Sequence, residues 1–408
     1  MIVKVILGTM QNARKLVSIA ESIPYDVELC YGRYVVNAKS MLGVLSMPEF
    51  DEGELHIHTD NEKECEKILF QLLDQNLIVD TGDAVKRSIY DITTFGEILI
   101  DFTWQGVNED GQTLFAQNPG GAPANLLTVA SHMGYRTEFI GKVGKDMHGA
   151  FLKKTLEKEG IGVSNLIEDD SYFTTLAFVA IDENGEREFS FARKPGADTQ
   201  LRADELNKDL LQNCKIFHFG SLSLTDQPAK DATLTAVKLA KEAGALISYD
   251  PNYRASLWSS EAAAAEEMKS MIPYADVMKV SDEESLLLTG EVTYEAAADK
   301  LLAMGPKLIA VTLGSEGVLM ATKEKKECIA GFSVQSVDTT GAGDSFWGGT
   351  LSAYLSLEKT VESLTWEEIH HCAVCGNATA ALCVQKRGGI PAIPAKEEVE
   401  QMVAEKSC

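Results

Sequence analysis

The sequence predicts an α/β protein built on a mostly parallel β-sheet with helices on both faces, with a small β lid and a separate α+β domain in front of it. Three observations support this prediction. β-rich and helical patterns alternate through the second half of the chain, an Asn-Gly pair separates two alternating runs, and the pattern changes type repeatedly near the N-terminus. Alternating β-rich and helical runs are typical of parallel sheets with helical crossovers.

The charge of the chain excludes two classes of partner. The 408 residues include 37 lysines and arginines against 61 aspartates and glutamates, a formal net charge of -24 at pH 7. Nucleic acids and anionic membranes need a basic surface, so we expect neither as a partner. The first apolar run is short for a signal peptide and no run approaches the roughly eighteen residues of a membrane span, which predicts a cytoplasmic protein. Eight cysteines are too dilute for a disulfide framework, so reduced thiols are expected.

Residues 1–82 are predicted to form the small α+β domain, residues 83–90 a linker, and residues 91–408 the large domain. The expected elements of the small domain are strands at 2–7, 27–30, 34–36 and 54–59 and helices at 12–22, from Ser40, and at 62–75.

The stretch VNAKSMLGVLSM, with the order of elements around it, resembles HPr, the phosphocarrier of bacterial sugar uptake. The resemblance implies a histidine at the start of the first helix, where this chain has Asn12, and an amide cannot carry a phosphoryl group as imidazole does. His56 and His58 do not replace that histidine. Ser40 matches a position that certain members phosphorylate for regulation. A structural or oligomerising role, as in a homodimer, is therefore favoured over a regulatory partner.

The large domain is expected to open with a buried strand that ends at Asp101. Its apolar residues fall between positions 92 and 102. Ligands of open α/β sheets bind beyond the carboxyl ends of the strands, where an acid can accept hydrogen bonds from two neighbouring hydroxyls of a ligand. Gly120 and Gly121 allow the backbone to approach a ring, and Asn125 offers a donor and acceptors for hydroxyls. The helix that follows is predicted to end at Gly134.

Three alternating stretches predict a small sheet, which would cover a neighbouring ligand site as a lid. They lie at residues 113–117, 174–181 and 187–191, and Asn184-Gly185 is a hairpin signal between the last two. Phe178 would be an apolar contact to the ring of the ligand, with a core phenylalanine as the alternative. Beyond the lid, β-rich runs at 216–219, 246–250, 277–280 and 308–312 alternate with helical patterns.

The stretch DTTGAGDSFWGG at 338–349 is predicted to carry the chemistry. Gly341, Ala342 and Gly343 form a turn that opens a helix, whose free NH groups and positive dipole end suit a phosphate. Asp344 can orient a hydroxyl and accept its proton, and the helix end is expected to lower the pKa of this carboxyl. Cys372 and Cys375 have metal-like spacing, but with no second pair we expect them to be packed on a helix.

Two segments in the right order resemble the signatures of the PfkB-type carbohydrate kinases, the ribokinase family. GGAPANLLTVASHMG resembles the N-terminal signature and DTTGAGDSFWGG the C-terminal one. The resemblance implies a ribokinase-like fold with Asp101 holding the sugar. It places Asp250 and Asn252 near the transferred phosphate, and Glu284 as a ligand of Mg²⁺ through water. FARKPGADTQL resembles fructokinases in particular and makes Arg193 a candidate sugar contact.

The resemblance also implies a nucleotide side. Thr312, Gly314 and Gly317 follow a strand end and suit phosphates and ribose, and Asn377 matches the helix beside the adenine. No P-loop or dinucleotide motif is present. The sequence therefore predicts an ATP- and Mg²⁺-dependent sugar kinase that favours D-fructose, with a monovalent cation as a further candidate cofactor. The alternatives are kinases for ribose or 2-keto-3-deoxygluconate, and a non-catalytic sugar sensor.

Overall fold

The computed structural model describes residues 1–47, 52–59, 65, 68–69, 71–72, 75, 77–78, 90–181 and 187–406. The chain divides into two units, Met1–Ile89 and Tyr90–Cys408. Each unit has a hydrophobic core of its own. The predicted boundaries at residues 82 and 90 stay predictions, because residues 79–89 lie outside the described part of the chain.

The N-terminal unit contains an antiparallel sheet of four strands, in the order β1-β4-β2-β3. Its described elements are β1 (Ile2–Ile6), α1 (Met10–Ser22), β2 (Val27–Tyr31), β3 (Tyr34–Asn37), α2 (Met41–Leu45) and β4 (Glu52–Ile57). Strand β1 follows from its alternation, because Val3 and Val5 are buried while Ile2 and Lys4 are exposed.

Both described helices of this unit begin at a hydroxyl cap. The Oγ1 atom of Thr9 accepts a hydrogen bond from the NH of Asn12 at 3.1 Å, and Oγ of Ser40 accepts one from the NH of Gly43 at 3.1 Å. Ser40 therefore lies at the start of a helix, as predicted. The expected helix at 62–75 falls mostly on residues outside the described part.

The second unit contains thirteen strands among the described residues. They are β5 (Tyr90–Phe95), β6 (Leu99–Val107), β7 (Thr113–Gly120), β8 (Thr137–Gly144), β9 (Leu166–Asp169), β10 (Leu176–Ile181), β11 (Arg187–Ala192), β12 (Cys214–Phe219), β13 (Leu246–Tyr249), β14 (Val277–Ser281), β15 (Leu308–Thr312), β16 (Gly317–Ala321) and β17 (Lys326–Ala330). Nine of them form one sheet in the order β17-β16-β15-β14-β13-β12-β5-β8-β9. Strands β12 to β15 match the four predicted β-rich runs and pair in parallel, which confirms the α/β class.

Helices connect and flank these strands. They are α3 (Ala122–His132), α4 (Met147–Lys158), α5 (Lys208–Leu211), α6 (Ala229–Glu242), α7 (Glu261–Met271), α8 (Asp282–Thr289), α9 (Tyr294–Ala303), α10 (Ala342–Leu355), α11 (Trp366–Cys383) and α12 (Lys396–Lys406). Gly134 follows the end of α3 with φ of 91°, the left-handed conformation expected of a residue in that position. Buried side chains of α3 and α10, such as Leu127 and Trp347, share one core with the sheet residue Ile92.

The remaining four strands form a second sheet in the order β11-β10-β6-β7. The three stretches predicted for the lid lie in β7, β10 and β11, and β10 pairs antiparallel with β11. The predicted Asn184-Gly185 turn lies outside the described residues.

The strand expected between residues 92 and 102 is two strands, which corrects the prediction. The chain leaves the central sheet after Phe95, and β6 carries Asp101 into the second sheet, opposite Asn118. Gly96 lies at the break, where an added Cβ would come 2.6 Å from Cγ of Pro123. An apolar run cannot distinguish one buried strand from two that belong to different sheets.

The described helices include none with the length and apolarity needed to cross a membrane. Cys372 and Cys375 lie on α11, where Cys372 is buried. No three His, Cys, Asp or Glu side chains in the described ranges are grouped so that they could hold a metal ion.

Candidate active site

The turn before α10 forms the first part of the site. Gly341 is the N-cap residue, in the left-handed conformation with φ of 76°, and an added Cβ would come 3.2 Å from Cα of Gly389. Ala342 and Gly343 open the helix, so their backbone lies at its positive end. Both the conformation and the close approach require glycine at position 341. The turn therefore has the geometry of an anion-binding site.

Asp344 follows the turn and is held by two amides. Nδ2 of Asn125 donates to one carboxylate oxygen at 2.8 Å, and Nδ2 of Asn252 donates to the other at 2.9 Å. Asn252 adopts φ of 48°, a conformation that few residues other than glycine tolerate. Non-glycine residues in this conformation cluster at functional sites. The two amides fix the orientation of a carboxyl that is 8% exposed.

The pKa of Asp344 moves in the direction opposite to the prediction. Burial raises the pKa of this carboxyl above its ordinary value, although Lys279 and the amides of Asn125 and Asn252 oppose the rise. The predicted lowering considered only the helix end, whereas loss of water around a buried carboxylate favours its neutral form more strongly. A raised pKa makes Asp344 a stronger base than a solvated aspartate.

Asp101 approaches the same cavity from the second sheet. Burial raises the pKa of this carboxyl to about 6. Gly120 lies beside it, and an added Cβ there would collide with the carboxylate. Gly121 has φ of 122°, and an added Cβ would come 2.5 Å from the backbone oxygen of Glu97. Gly120 thus lets β7 pass close to Asp101, and Gly121 lets the chain pass close to the backbone of Glu97. Their approach to a sugar ring stays a prediction.

A buried lysine on β14 was not predicted. Lys279 is 5% exposed, and its Nζ lies 2.9 Å from Oδ2 of Asp250. Burial opposes its charge, but Asp250, Glu284 and Asp344 outweigh burial and raise the pKa of Lys279 above its ordinary value. The sequence signal was a lysine inside the otherwise apolar run of β14.

These groups line one cavity of about 780 Å³. Its lining includes Asp101, Gly121, Asn125, Asn252, Lys279, Glu284, Thr312, the Gly341–Gly343 turn and Asp344. Carboxylates, amides and a cation converge on a helix N-terminus, which is the arrangement that phosphoryl transfer to a hydroxyl needs.

Comparison with known proteins assigns the family. The profile of the pfkB family carbohydrate kinases matches residues 90–396. The chain belongs to this family. It is therefore a carbohydrate kinase, a transferase that phosphorylates sugars.

Relatives of this carbohydrate kinase match it over the same unit. Probable fructokinase-5 of Arabidopsis thaliana is 42% identical over 320 residues, 78% of this chain and 98% of the relative. The crystal structure of fructokinase with bound ATP from Xylella fastidiosa has a TM-score of 0.73 and 32% identity, and the match covers 78% of this chain and 99% of that one. A fructokinase double mutant from Vibrio cholerae O395, with fructose, ADP and potassium ion bound, has a TM-score of 0.70 at 30% identity over 78% of this chain and 99% of that one.

Only one of the four predicted nucleotide-binding residues of the kinase lines the cavity. Thr312 lines it, whereas Gly314, Gly317 and Asn377 do not. Gly317 packs so closely on β17 that an added Cβ would collide with the backbone of Ile329. Nδ2 of Asn377 donates to two backbone oxygens of β17, at 3.2 Å each, and so fastens α11 to the sheet.

Two predicted sugar contacts lie elsewhere in the carbohydrate kinase. Arg193 is 5% exposed and does not line the cavity, because its guanidinium is paired with Asp198 and donates to Thr225 and the backbone of Leu222. Phe178 stacks on Phe102 at 5.3 Å between ring centroids within the second sheet. Neither side chain lines the described cavity. Arg193 is held by its ion pair and hydrogen bonds, and Phe178 is packed against Phe102.

Glu284, the predicted magnesium ligand, also has a structural function. The carboxylate of Glu284 accepts hydrogen bonds from the NH of Tyr253 at 2.6 Å and of Ser281 at 2.8 Å, and Ser281 caps α8 in return. Each carboxylate oxygen keeps a further lone pair for a water molecule. This donor set fits an ion that retains its water and is held mainly by nucleotide phosphates, as Mg²⁺ is.

Proposed function

We propose that this carbohydrate kinase is a fructokinase that transfers the γ-phosphoryl group of ATP to a primary hydroxyl of D-fructose. The position of Asp344 is the observation on which the proposal rests. Two amides hold its carboxylate at the glycine turn of α10, and the carboxylate lines the same cavity as Asp101. The fructokinases of similar sequence and structure support the choice of sugar.

The proposed reaction has Asp344 as general base. The oxygen of the sugar hydroxyl forms a bond to the γ-phosphorus while the bond from that phosphorus to the β–γ bridging oxygen breaks, and the hydroxyl proton passes to Asp344. The backbone of the Gly341–Gly343 turn stabilises the charge on the transferred group. ADP and the fructose phosphate are the products.

The other residues take supporting roles in this proposal. Asp101 accepts hydrogen bonds from sugar hydroxyls, with Gly120 and Gly121 allowing the ring to approach, and the second sheet covers the sugar as a lid. Thr312 contacts the nucleotide. Glu284 would hold Mg²⁺ through water, and the ion would supply positive charge to the phosphates of ATP. A monovalent cation is a further cofactor of the proposal. The nucleotide and the monovalent cation are supported by the ATP, ADP and potassium ion bound in the two fructokinase structures.

The N-terminal unit is proposed to be an HPr-like domain without carrier activity. Its described elements follow the strand–helix–strand–strand–helix–strand order on which the resemblance rests. Asn12 occupies the first turn of α1, where a carrier needs histidine. A structural or oligomerising role is favoured, and docking of a regulatory partner at Ser40 is the alternative.

An assay of ADP release across a panel of free sugars tests the proposal. Fructose is expected to give a higher kcat/KM than ribose or 2-keto-3-deoxygluconate. The variant Asp344→Asn should bind fructose and ATP and lose turnover by about 10³-fold or more, the size of a general-base contribution. Fructose that raises the melting temperature without any ADP release would instead favour the non-catalytic sensor.

A further inference from the structure

The environment of Lys279 differs from that of a structural ion pair. A buried lysine and aspartate that serve only stability are replaceable by apolar residues of similar size, often without loss. Lys279 instead faces three carboxylates, those of Asp250, Glu284 and Asp344, and its side chain lines the cavity. Three acids therefore surround one buried cation in a site that must admit a polyanion.

The ammonium group of Lys279 lies directly against the anion-binding turn. A Cβ added at Gly343 would come 2.8 Å from Nζ and 3.4 Å from Cε of this lysine. The absence of a side chain at Gly343 therefore leaves the ammonium next to the backbone of the turn. Oδ2 of Asp250 lies 2.9 Å from Nζ, and this ion pair fixes the ammonium group in position.

Among the described residues that line the cavity, the cationic side chains are those of Lys279 and Arg254. Arg254 is exposed, and its guanidinium donates to the backbone oxygen of Tyr253 at 2.9 Å. Lys279 is the buried one of the two. A fixed cation away from water stabilises developing charge more strongly than a solvated one, since screening is weaker and no reorganisation is needed.

We propose that Lys279 is a catalytic residue whose ammonium group contacts the γ-phosphoryl group of ATP during transfer, with Asp250 as the positioning residue that holds it there. The ammonium donates a hydrogen bond to a non-bridging oxygen of the transferred group and keeps its own protons throughout. The proposal rests on the proposed function, because it needs a phosphoryl group to be transferred at this turn. It adds a cation to the phosphate end of the site, for which the sequence motifs indicated acids, an amide and the glycine turn.

The test compares Lys279→Met and Lys279→Arg with wild type in the full-length protein. Binding of ATP and of ADP is measured by calorimetry without sugar, and kcat is measured with fructose. Lys279→Met should weaken ATP binding by about 10-fold, the size of a charged hydrogen bond, and leave ADP affinity nearly unchanged. It should lower kcat on the order of 100-fold, as loss of a charge-stabilising donor does. Lys279→Arg should recover part of both.

A matched control is available at Lys142. This lysine is 2% exposed and paired with Asp169 and Glu205, and it does not line the cavity. Lys142→Met should lower the melting temperature without changing the ratio of ATP to ADP affinity or the kcat of the folded protein. If Lys279→Met is too unstable to measure, the double variant Lys279→Met/Asp250→Asn is used, because it also neutralises the acid that has lost its partner. This double variant should still bind ATP more weakly than wild type and bind ADP nearly as wild type does.

Two results would overturn the proposal for Lys279. One is an equal loss of ATP and ADP affinity in Lys279→Met, and the other is an unchanged kcat. The failure of the proposed function is distinguishable from both. A wild-type protein that phosphorylates no sugar in the panel, yet prefers ATP to ADP through Lys279, would reject the fructokinase proposal and keep the contact with the γ-phosphoryl group.

Discussion

Nδ2 of Asn125 lies 2.8 Å from Oδ2 of Asp344, and this hydrogen bond joins residues 219 positions apart. It connects the start of α3 to the start of α10, the two helices that carry the family signatures. Asn125 was predicted as a sugar contact, which stays a prediction, and its amide nitrogen also orients the proposed base. Its Oδ1 is buried without a hydrogen-bond partner among the described residues, so an acceptor is left for a ligand.

The first prediction concerns this hydrogen bond. Removing it with Asn125→Ala should raise the pKa of Asp344 further, because the amide stabilises the charged carboxylate. The base acts when ionised, so the acidic limb of the kcat–pH profile should move to higher pH. A profile of kcat measured at saturating sugar and ATP checks this.

Asn118 provides the matched control for that profile. Its amide also faces the cavity but donates to Oγ1 of Thr103 at 3.2 Å, away from Asp344. Asn118→Ala should leave the acidic limb where it is. An identical shift in both variants would show that a general change in the cavity, not the bond to Asp344, moves the profile.

The second prediction concerns sugar binding by Asp101. Burial raises the pKa of Asp101 to about 6, and the ionised carboxylate accepts charged hydrogen bonds at both oxygens, whereas protonation removes the charge and turns one oxygen into a donor. Fructose affinity should therefore fall as the pH drops through about 6. Asp101→Asn should bind fructose about 100-fold more weakly, as loss of two charged hydrogen bonds implies, and with little pH dependence. Calorimetric titrations between about pH 5 and pH 8 measure both; a pH-independent wild-type affinity would contradict the assignment.

The sequence predicted the part of the site whose residues lie close together in the chain. Gly341 and Asp344 are adjacent to a helical pattern, so the glycine turn, the helix start and the acid could be inferred together. Asp101 was placed in the correct cavity but in the wrong sheet, because sheet membership depends on pairing partners that an apolar run does not encode. The same holds for the second sheet, because the alternation of three of its strands was visible, whereas the membership of β6 and the strand order were not.

The part that could not be predicted depends on contacts across the sheet. The position and charge of Lys279 on β14 depend on two acids from other elements. Asp250 follows the neighbouring strand β13, and Asp344 lies on α10. Arg193 has the chemistry of a sugar ligand, but its orientation is decided by packing against Asp198 and the Leu222 backbone. Side-chain direction at such positions is a tertiary property that residue type alone leaves open.

The third prediction concerns the N-terminal unit. A chain that starts shortly before Tyr90 should fold and phosphorylate fructose with kcat and KM close to those of the full chain, because the two units have separate cores. Steady-state kinetics and the oligomeric state in solution should be measured on both forms. Equal kinetics with a changed oligomeric state would support the oligomerising role, whereas a large loss of kcat in the folded short form would support regulation by the N-terminal unit.

The last prediction concerns Glu97, which lines the cavity at 4% exposure and accepts a hydrogen bond from the NH of Ala122 at 3.2 Å. Burial raises the pKa of this carboxyl from 4.5 to about 7. Below pH 4.5 both the folded and unfolded states are protonated. Between 4.5 and about 7 the unfolded state ionises first, so the free energy of unfolding should fall by about 3 kcal/mol through this window and stay level above it.

Glu97→Gln keeps the size and the acceptor of Glu97 and removes its titration. The variant should therefore match wild type near pH 4 and be the more stable protein near pH 8. Thermal melts of both proteins across this range measure the difference, in which the other titrating groups cancel. The same stability difference at both ends of the range would show that Glu97 does not change its ionisation on folding. Wild type that gains stability over Glu97→Gln as the pH rises would show that Glu97 is ionised in the folded state and held by Arg193.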